Sequence, residues 1–151
     1  DVPYCVMRGT ALAEGIGEKL TSLPGVPMCY VLIGKPGINV STKFVYGNLH
    51  LDEVTEHPDI DGMVEAIAEE SLQGILDRME NVLETVTVSA YPVIQTIKDR
   101  MKELGAINSL MSGSGPTVFG IFVEKDMARR AYDKLEEEQL AKQIFLTEFC
   151  E

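Results

Sequence analysis

Met111-Ser112-Gly113-Ser114-Gly115-Pro116-Thr117 separates two apolar runs, Ala106-Ile107-Asn108-Ser109-Leu110-Met111 before it and Thr117-Val118-Phe119-Gly120-Ile121-Phe122-Val123 after it. Runs of this length and composition, bounded by turn residues, predict two strands joined by a tight turn. Glycine reaches positive φ without strain and lacks the Cβ that keeps a ligand off the backbone. Such a turn can aim consecutive N–H groups at one point and hold an anion. Ser112, Ser114 and Thr117 add hydroxyl groups. A plain hairpin that needs glycine only for its bend has the same composition, and spacing leaves both readings open.

Working towards the amino terminus, Pro92 suits the first turn of a helix, since its missing N–H is no loss there. Ile94, Ile97, Met101 and Leu104 form its apolar stripe, Lys98, Arg100 and Lys102 sit towards its C-terminal end, and Gly105 is the expected C-cap. A second helical face begins at Asp59 or Asp61 and runs through Met63, Ile67, Ile75, Met79 and Leu83, with Gly74 as a break or bend. The stretch 47–58 reads as loop, and Ser41 or Thr42 can cap a short helix through Tyr46. Met28-Cys29-Tyr30-Val31-Leu32-Ile33 is a strand buried on both faces. Residues 1–23 read as short extended pieces, with Thr10–Ala13 and Lys19–Leu23 flanking a glycine turn as a hairpin. Beyond the central turn, Asp126 can cap a helix bearing Ala128, Ala131 and Leu135, and Ile144–Phe149 closes the chain as a strand. From residue 28 onward the order is a ferredoxin-like β-α-β-β-α-β pattern with extra helices in the first crossover. The expected class is α+β, one antiparallel sheet covered by helices, with a boundary near residue 25 that separates 1–25 from 26–151.

The bulk properties bound the function. The chain has 151 residues, 45% of them apolar and 25% charged, which suits one domain or one domain plus a remnant of another. A formal charge of −11 argues against nucleic acid, whose phosphates require clustered Lys and Arg. Part of this acidity, Glu136-Glu137-Glu138, reads as a solvated helix face. No apolar run is long enough to span a membrane, and Asp1-Val2-Pro3-Tyr4 lacks the features of a signal peptide, so a cytoplasmic protein is expected. Cys5, Cys29 and Cys150 are scattered, as are His50 and His57, so reduced thiols acting as small hydrophobes and no metal site are expected.

Met-Ser-Gly-Ser-Gly-Pro-Thr-Val-Phe-Gly resembles the third motif of the GHMP kinases, which include galactokinase, homoserine kinase and mevalonate kinase. The resemblance implies that Gly113, Ser114, Gly115 and Thr117 lie beside the substrate and the ATP phosphates. Asp1-Val2-Pro3, followed by Arg8-Gly9-Thr10-Ala11 and Glu14-Gly15, is similar to a signature of the diphosphocytidyl-methylerythritol kinases and implies that Asp1 is the catalytic base. Pro36-Gly37-Ile38-Asn39-Val40-Ser41-Thr42-Lys43-Phe44-Val45-Tyr46 resembles that family's Pro-x-x-x-Val-Ser-Thr-x-x-x-Tyr segment. It implies that Tyr46 stacks on cytosine and that Thr42 lies near the substrate. Read from the residues alone, Tyr46 packing on the sheet and Thr42 capping its helix remain alternatives. Asn81-Val82-Leu83-Glu84 also looks like a family segment and reads as structural.

The resemblance implies transfer of the γ-phosphoryl group of ATP, with Mg²⁺, to the 2-hydroxyl of 4-diphosphocytidyl-2-C-methyl-D-erythritol, a cytidine diphosphate compound of the non-mevalonate isoprenoid route. The phosphate loop Pro-x-x-x-Gly-Leu-Gly-Gly-Gly-Ser-Ser does not occur in these residues, so a carboxy-terminal portion without useful activity of its own is expected. Apolar Val2, Tyr4, Val6 and Leu12 raise self-association as a further expectation. The alternatives are another GHMP kinase, such as homoserine kinase, and a non-catalytic ferredoxin-like binding module.

Overall fold

A computed structural model describes residues 2–50 and 57–149. The chain runs α1 (Val2–Met7), β1 (Thr10–Glu14), β2 (Lys19–Leu23), β3 (Tyr30–Lys35), α2 (Thr42–Gly47), α3 (Ile60–Ala68), α4 (Leu72–Asp77), α5 (Glu84–Ala90), α6 (Val93–Glu103), β4 (Asn108–Met111), β5 (Val118–Phe122), α7 (Lys125–Glu138) and β6 (Gln143–Glu148). These elements form two units. One comprises the described residues of Asp1–Met28 and Asp59–Arg78, with Phe149; the other comprises those of Cys29–Pro58 and Met79–Glu148.

In the first unit β1 and β2 form the expected antiparallel hairpin, with Glu14 opposite Lys19. Gly15 and Gly17 take φ of 68° and 91°, values strained for other residues. The stretch before it is one helical turn and a half, not extended: Pro3 starts it, and Arg8 and Gly9 end it at φ 60° and 74°. The helix buries no residue, and Val2 and Val6 are exposed. Asp59 caps α3 by accepting from the Gly62 N–H at 3.0 Å. The break in this helical region falls at Glu70 (φ 54°), not at Gly74. Ser71 restarts the chain by accepting from the Gly74 N–H at 3.2 Å, which places Gly74 inside α4. Ala66, Ile67 and Ile75 form the small core, with Leu23, Val26 and Met63 against it.

The second unit carries the ferredoxin-like sheet, in the order β4-β5-β3-β6 with every neighbouring pair antiparallel. Its helical cover is amphipathic as the stripe requires: Ile94, Ile97 and Met101 of α6, and Ala128, Ala131 and Leu135 of α7, are buried with Leu32, Val118 and Phe122. Each fully buried Leu, Ile or Phe contributes about 1.5–3 kcal/mol. A Cβ on Gly34 or Gly120 would lie 3.1 Å from Met101, so both strands need glycine where α6 approaches.

Two local expectations change. The helical face does not continue through Leu83; an intervening turn leads into the separate helix α5. Lys98, towards the C-terminal end of α6 as expected, is buried and pairs with Glu84. At α7 the N-cap is Glu124, without a side-chain cap bond, and Asp126 sits in the first turn. The acidic run at the end of α7 is partly tied down: Glu138 bonds to Arg100, Glu137 to Lys134, and Glu136 accepts from the Tyr132 hydroxyl at 2.7 Å. The Arg100 guanidinium holds the Glu138 carboxyl below the usual carboxylate range. Cys29 is buried and its thiol pushed up by desolvation, whereas Cys5 is exposed; Cys150 lies outside the described residues.

Candidate functional site

The turn between β4 and β5 is closed by its own backbone. Ser112 N–H donates to Thr117 O at 2.8 Å, and Gly115 N–H donates to Ser112 O at 3.0 Å. Gly113 and Gly115 sit at φ 55° and 85°. At Gly115 a Cβ would also meet Met111 Sδ at 2.6 Å and Thr87 Cγ2 at 3.3 Å, whereas at Gly113 it would meet nothing within 4 Å. Gly115 is therefore demanded by packing as well as by φ, and Gly113 leaves its side of the turn open to a ligand.

Three carbonyls of the turn are taken by side chains from one stretch. Asn81 Nδ2 donates to Met111 O and to Gly113 O, both at 2.8 Å, while its Oδ1 accepts from Leu83 N–H at 3.0 Å. Thr87 Oγ1 donates to Ser114 O at 3.3 Å, and Glu84 Oε1 accepts from Met111 N–H at 2.7 Å. The second oxygen of Glu84 accepts from Lys98 Nζ in a pair whose side chains are 18% and 10% exposed. Ser109 Oγ, buried below, donates to Lys98 O at 2.9 Å. Among the described hydrogen bonds, the N–H groups of Gly113 and Ser114 donate to no protein acceptor. The carbonyls from Met111 to Ser114 are thus engaged while two consecutive N–H groups are not, which is the polarity an anion needs.

Helix α2 reaches the same turn. Ser41 is its cap, accepting from Phe44 N–H at 3.3 Å, so Thr42 is released from capping. Thr42 Oγ1 lies 2.9 Å from Ser114 Oγ. Tyr46 follows Thr42 by four residues, on the same helical face. Its side chain is 61% exposed, and it is Val45 that packs in the core, so Tyr46 does not pack on the sheet. The structure therefore brings together Thr42, Gly113, Ser114 and Gly115, with Thr117 closing the turn. Asp1 lies outside the described residues.

Sequence reasoning treated Asn81 and Glu84 as structural and passed over Thr87. Their signal is the spacing 81, 84, 87, three hydrogen-bonding side chains spread over α5 and the turn that leads into it. A separate depression of about 550 Å³ lies by α6 and α7, lined by Glu103, Leu104, Met127, Arg130, Lys134 and Glu137 among others; it includes none of the expected site residues. Among the described residues no group of three or more His, Cys, Asp or Glu could hold a metal ion, and no helix is long and apolar enough to cross a membrane.

A protein of Lachnospira eligens named 4-diphosphocytidyl-2-C-methyl-D-erythritol kinase is 56% identical over 148 residues, 98% of this chain and 51% of that protein. One of the same name from Lachnoclostridium phytofermentans is 56% identical over the full chain and 52% of its own length. The chain thus spans about half the length of these relatives. A crystal structure of 4-(cytidine 5'-diphospho)-2C-methyl-D-erythritol kinase superposes with a TM-score of 0.81 at 29% identity, covering 98% of this chain and 52% of that one. Homoserine kinase from Cytophaga hutchinsonii, at 20% identity and a TM-score of 0.72 over 99% of this chain and 50% of that one, shares the fold. Residues 63–142, which include β4, the glycine turn, β5 and α7, match the family model described as GHMP kinases C terminal, and the chain belongs to the GHMP kinases.

Proposed function

We propose that this chain forms part of an ATP-dependent kinase that phosphorylates the 2-hydroxyl of 4-diphosphocytidyl-2-C-methyl-D-erythritol. The observation that carries the reading is the Gly113 and Ser114 N–H pair, which donates to none of the described acceptors and is tied through the Ser114 hydroxyl to the helix that carries exposed Tyr46. The names of the relatives at 56% identity supply the substrate.

Each residue has a physical part in this reading. Gly113 and Ser114 donate backbone N–H groups to phosphate oxygens, and the Ser112, Ser114 and Thr117 hydroxyls add donors. Gly115 keeps the turn in the shape that aims them. Thr42 fixes the Ser114 hydroxyl, and Tyr46 offers a ring face to cytosine, worth about 1–3 kcal/mol for a stacked base. Asp1 keeps the role of base that the resemblance implies: its carboxylate accepts the substrate hydroxyl proton. Bound ATP supplies a phosphoryl group whose transfer depends chiefly on positioning and electrostatics. The turn fits such an anion, whereas the Mg²⁺ of the resemblance finds no cluster of carboxylate or histidine ligands among the described residues. Residues 1–25 are read as the edge of a separate nucleotide-binding domain, and the 151 residues alone are expected to turn over little.

The test is ADP release by the full reading frame that contains this chain, with the cytidine compound and with homoserine as alternative acceptors. Turnover in the common enzyme range of about 1–10³ s⁻¹ is expected with the former only. Tyr46→Ala should raise KM for it about ten-fold or more. Turnover with homoserine alone, or with neither, sinks the reading.

A further inference from the structure

We infer that Asn81 and Thr87 are positioning residues that set the polarity of the glycine turn, an assignment that rests on the phosphate-binding reading above and deepens it. A short turn carries as many carbonyl oxygens as N–H groups, and a carbonyl aimed at an anion repels it. Whether such a turn attracts phosphate therefore depends on which set is engaged internally. Here the four consecutive carbonyls from Met111 to Ser114 are all engaged. Met111 O and Gly113 O accept from Asn81, Ser112 O accepts from Gly115 N–H, and Ser114 O accepts from Thr87. On the donor side, Met111 N–H goes to Glu84, and Ser112 N–H goes to Thr117 O. The consecutive N–H groups of Gly113 and Ser114 donate to none of the described acceptors.

The two positioning side chains lie behind the turn and need not touch the ligand. Asn81 is half-buried and anchored through its own oxygen to Leu83 N–H, so its amide cannot turn over without losing three bonds. Thr87 is fully buried. Lys98 and Glu84 fix the same stretch from the far side, which keeps the bracket rigid. The chemical requirement is specific: position 81 must donate twice. Aspartate has the same shape but sets a carboxylate against two carbonyl oxygens, which pushes them towards the ligand side.

The experiment uses Asn81→Asp, Thr87→Val and Thr87→Ser in the full reading frame. Steady-state kinetics and melting temperature are paired with ¹⁵N amide shifts of Gly113 and Ser114 on adding inorganic pyrophosphate. Expected are a fall in kcat of about ten-fold or more for Asn81→Asp, a smaller fall for Thr87→Val, and near recovery in Thr87→Ser. Expected too are pyrophosphate-induced shifts at both amides in the unsubstituted protein that disappear in Asn81→Asp. Should Asn81→Asp fail to fold, the Val and Ser pair at position 87 decides by the same amide readout. Equal amide responses in all variants, or losses that follow melting temperature alone, overturn the inference. A protein that shows the amide pattern but no turnover would overturn the kinase reading and support the positioning role.

Discussion

Each unit contains a turn with two glycines at positive φ and a carboxylate that bridges a backbone N–H to a cation, yet only one of the two sets forms a candidate site. In the hairpin, Gly15 and Gly17 are held by near neighbours: Gly17 N–H donates to Glu14 O at 3.1 Å and Ile16 N–H to Glu18 Oε2 at 2.7 Å. Ile16 at its tip is 96% exposed. The turn at Gly113 and Gly115 is held by its own backbone and, in addition, by Thr42, Asn81 and Thr87, far off in sequence. The carboxylates differ in exposure. Asp59 accepts from Gly62 N–H and Arg78 in the open, 59% exposed, while Glu84 accepts from Met111 N–H and Lys98 at 18% exposure. Similar local chemistry becomes a preorganised site only where distant side chains fix it in place.

The largest test of that contrast is Glu84→Ala, which leaves the Lys98 ammonium buried without its partner. It should lower stability by about 3 kcal/mol or more in denaturant unfolding, and a loss near zero would show that the pair is solvated in solution. Next come the two turns themselves. Gly115→Ala meets both an unfavourable φ and the Met111 sulfur, and should cost about 2 kcal/mol. Gly17→Ala faces the same kind of φ (91°) with open space around it, and should cost about 1 kcal/mol. Equal melting-temperature shifts for the two would erase the distinction. The smallest effect is expected at Asp59. The Gly62 N–H, with Arg78 beside it, holds the Asp59 carboxyl below its usual range. Its stabilisation is therefore present above the unfolded carboxylate pKa of about 4 and fades as pH falls through the lower folded value. Melts of the unsubstituted protein and of Asp59→Ala should differ near neutrality and converge in acid. A gap that widens on acidification would reverse the assignment.

Elements whose pattern is local were legible in the letters. The stripe on α6, the hairpin, the order of the strands and the glycine turn all follow from periodicity, punctuation or the needs of positive φ. Where two residues could fill one role, the letters did not choose. Ser41 and Thr42 both suit a helix cap, and only the contact with Ser114 shows that Thr42 is used elsewhere. Tyr46 and Val45 are adjacent apolar candidates for burial, and the helical phase buries Val45. Glu70 at φ 54° breaks a helix that glycine seemed set to break, because Ser71 caps the next one.

The sequence by itself determined which stretch of backbone could bend with φ positive and expose its amides, since that follows from the absence of a Cβ at Gly113 and Gly115. It also determined the fold class, through hydrophobic period and strand order. Only the tertiary structure decided that three carbonyls of the bend are engaged by Asn81 and Thr87 across a gap of some thirty residues. Hydrogen bonds of that reach depend on how helix and sheet pack together, and no local pattern of residues encodes that distance.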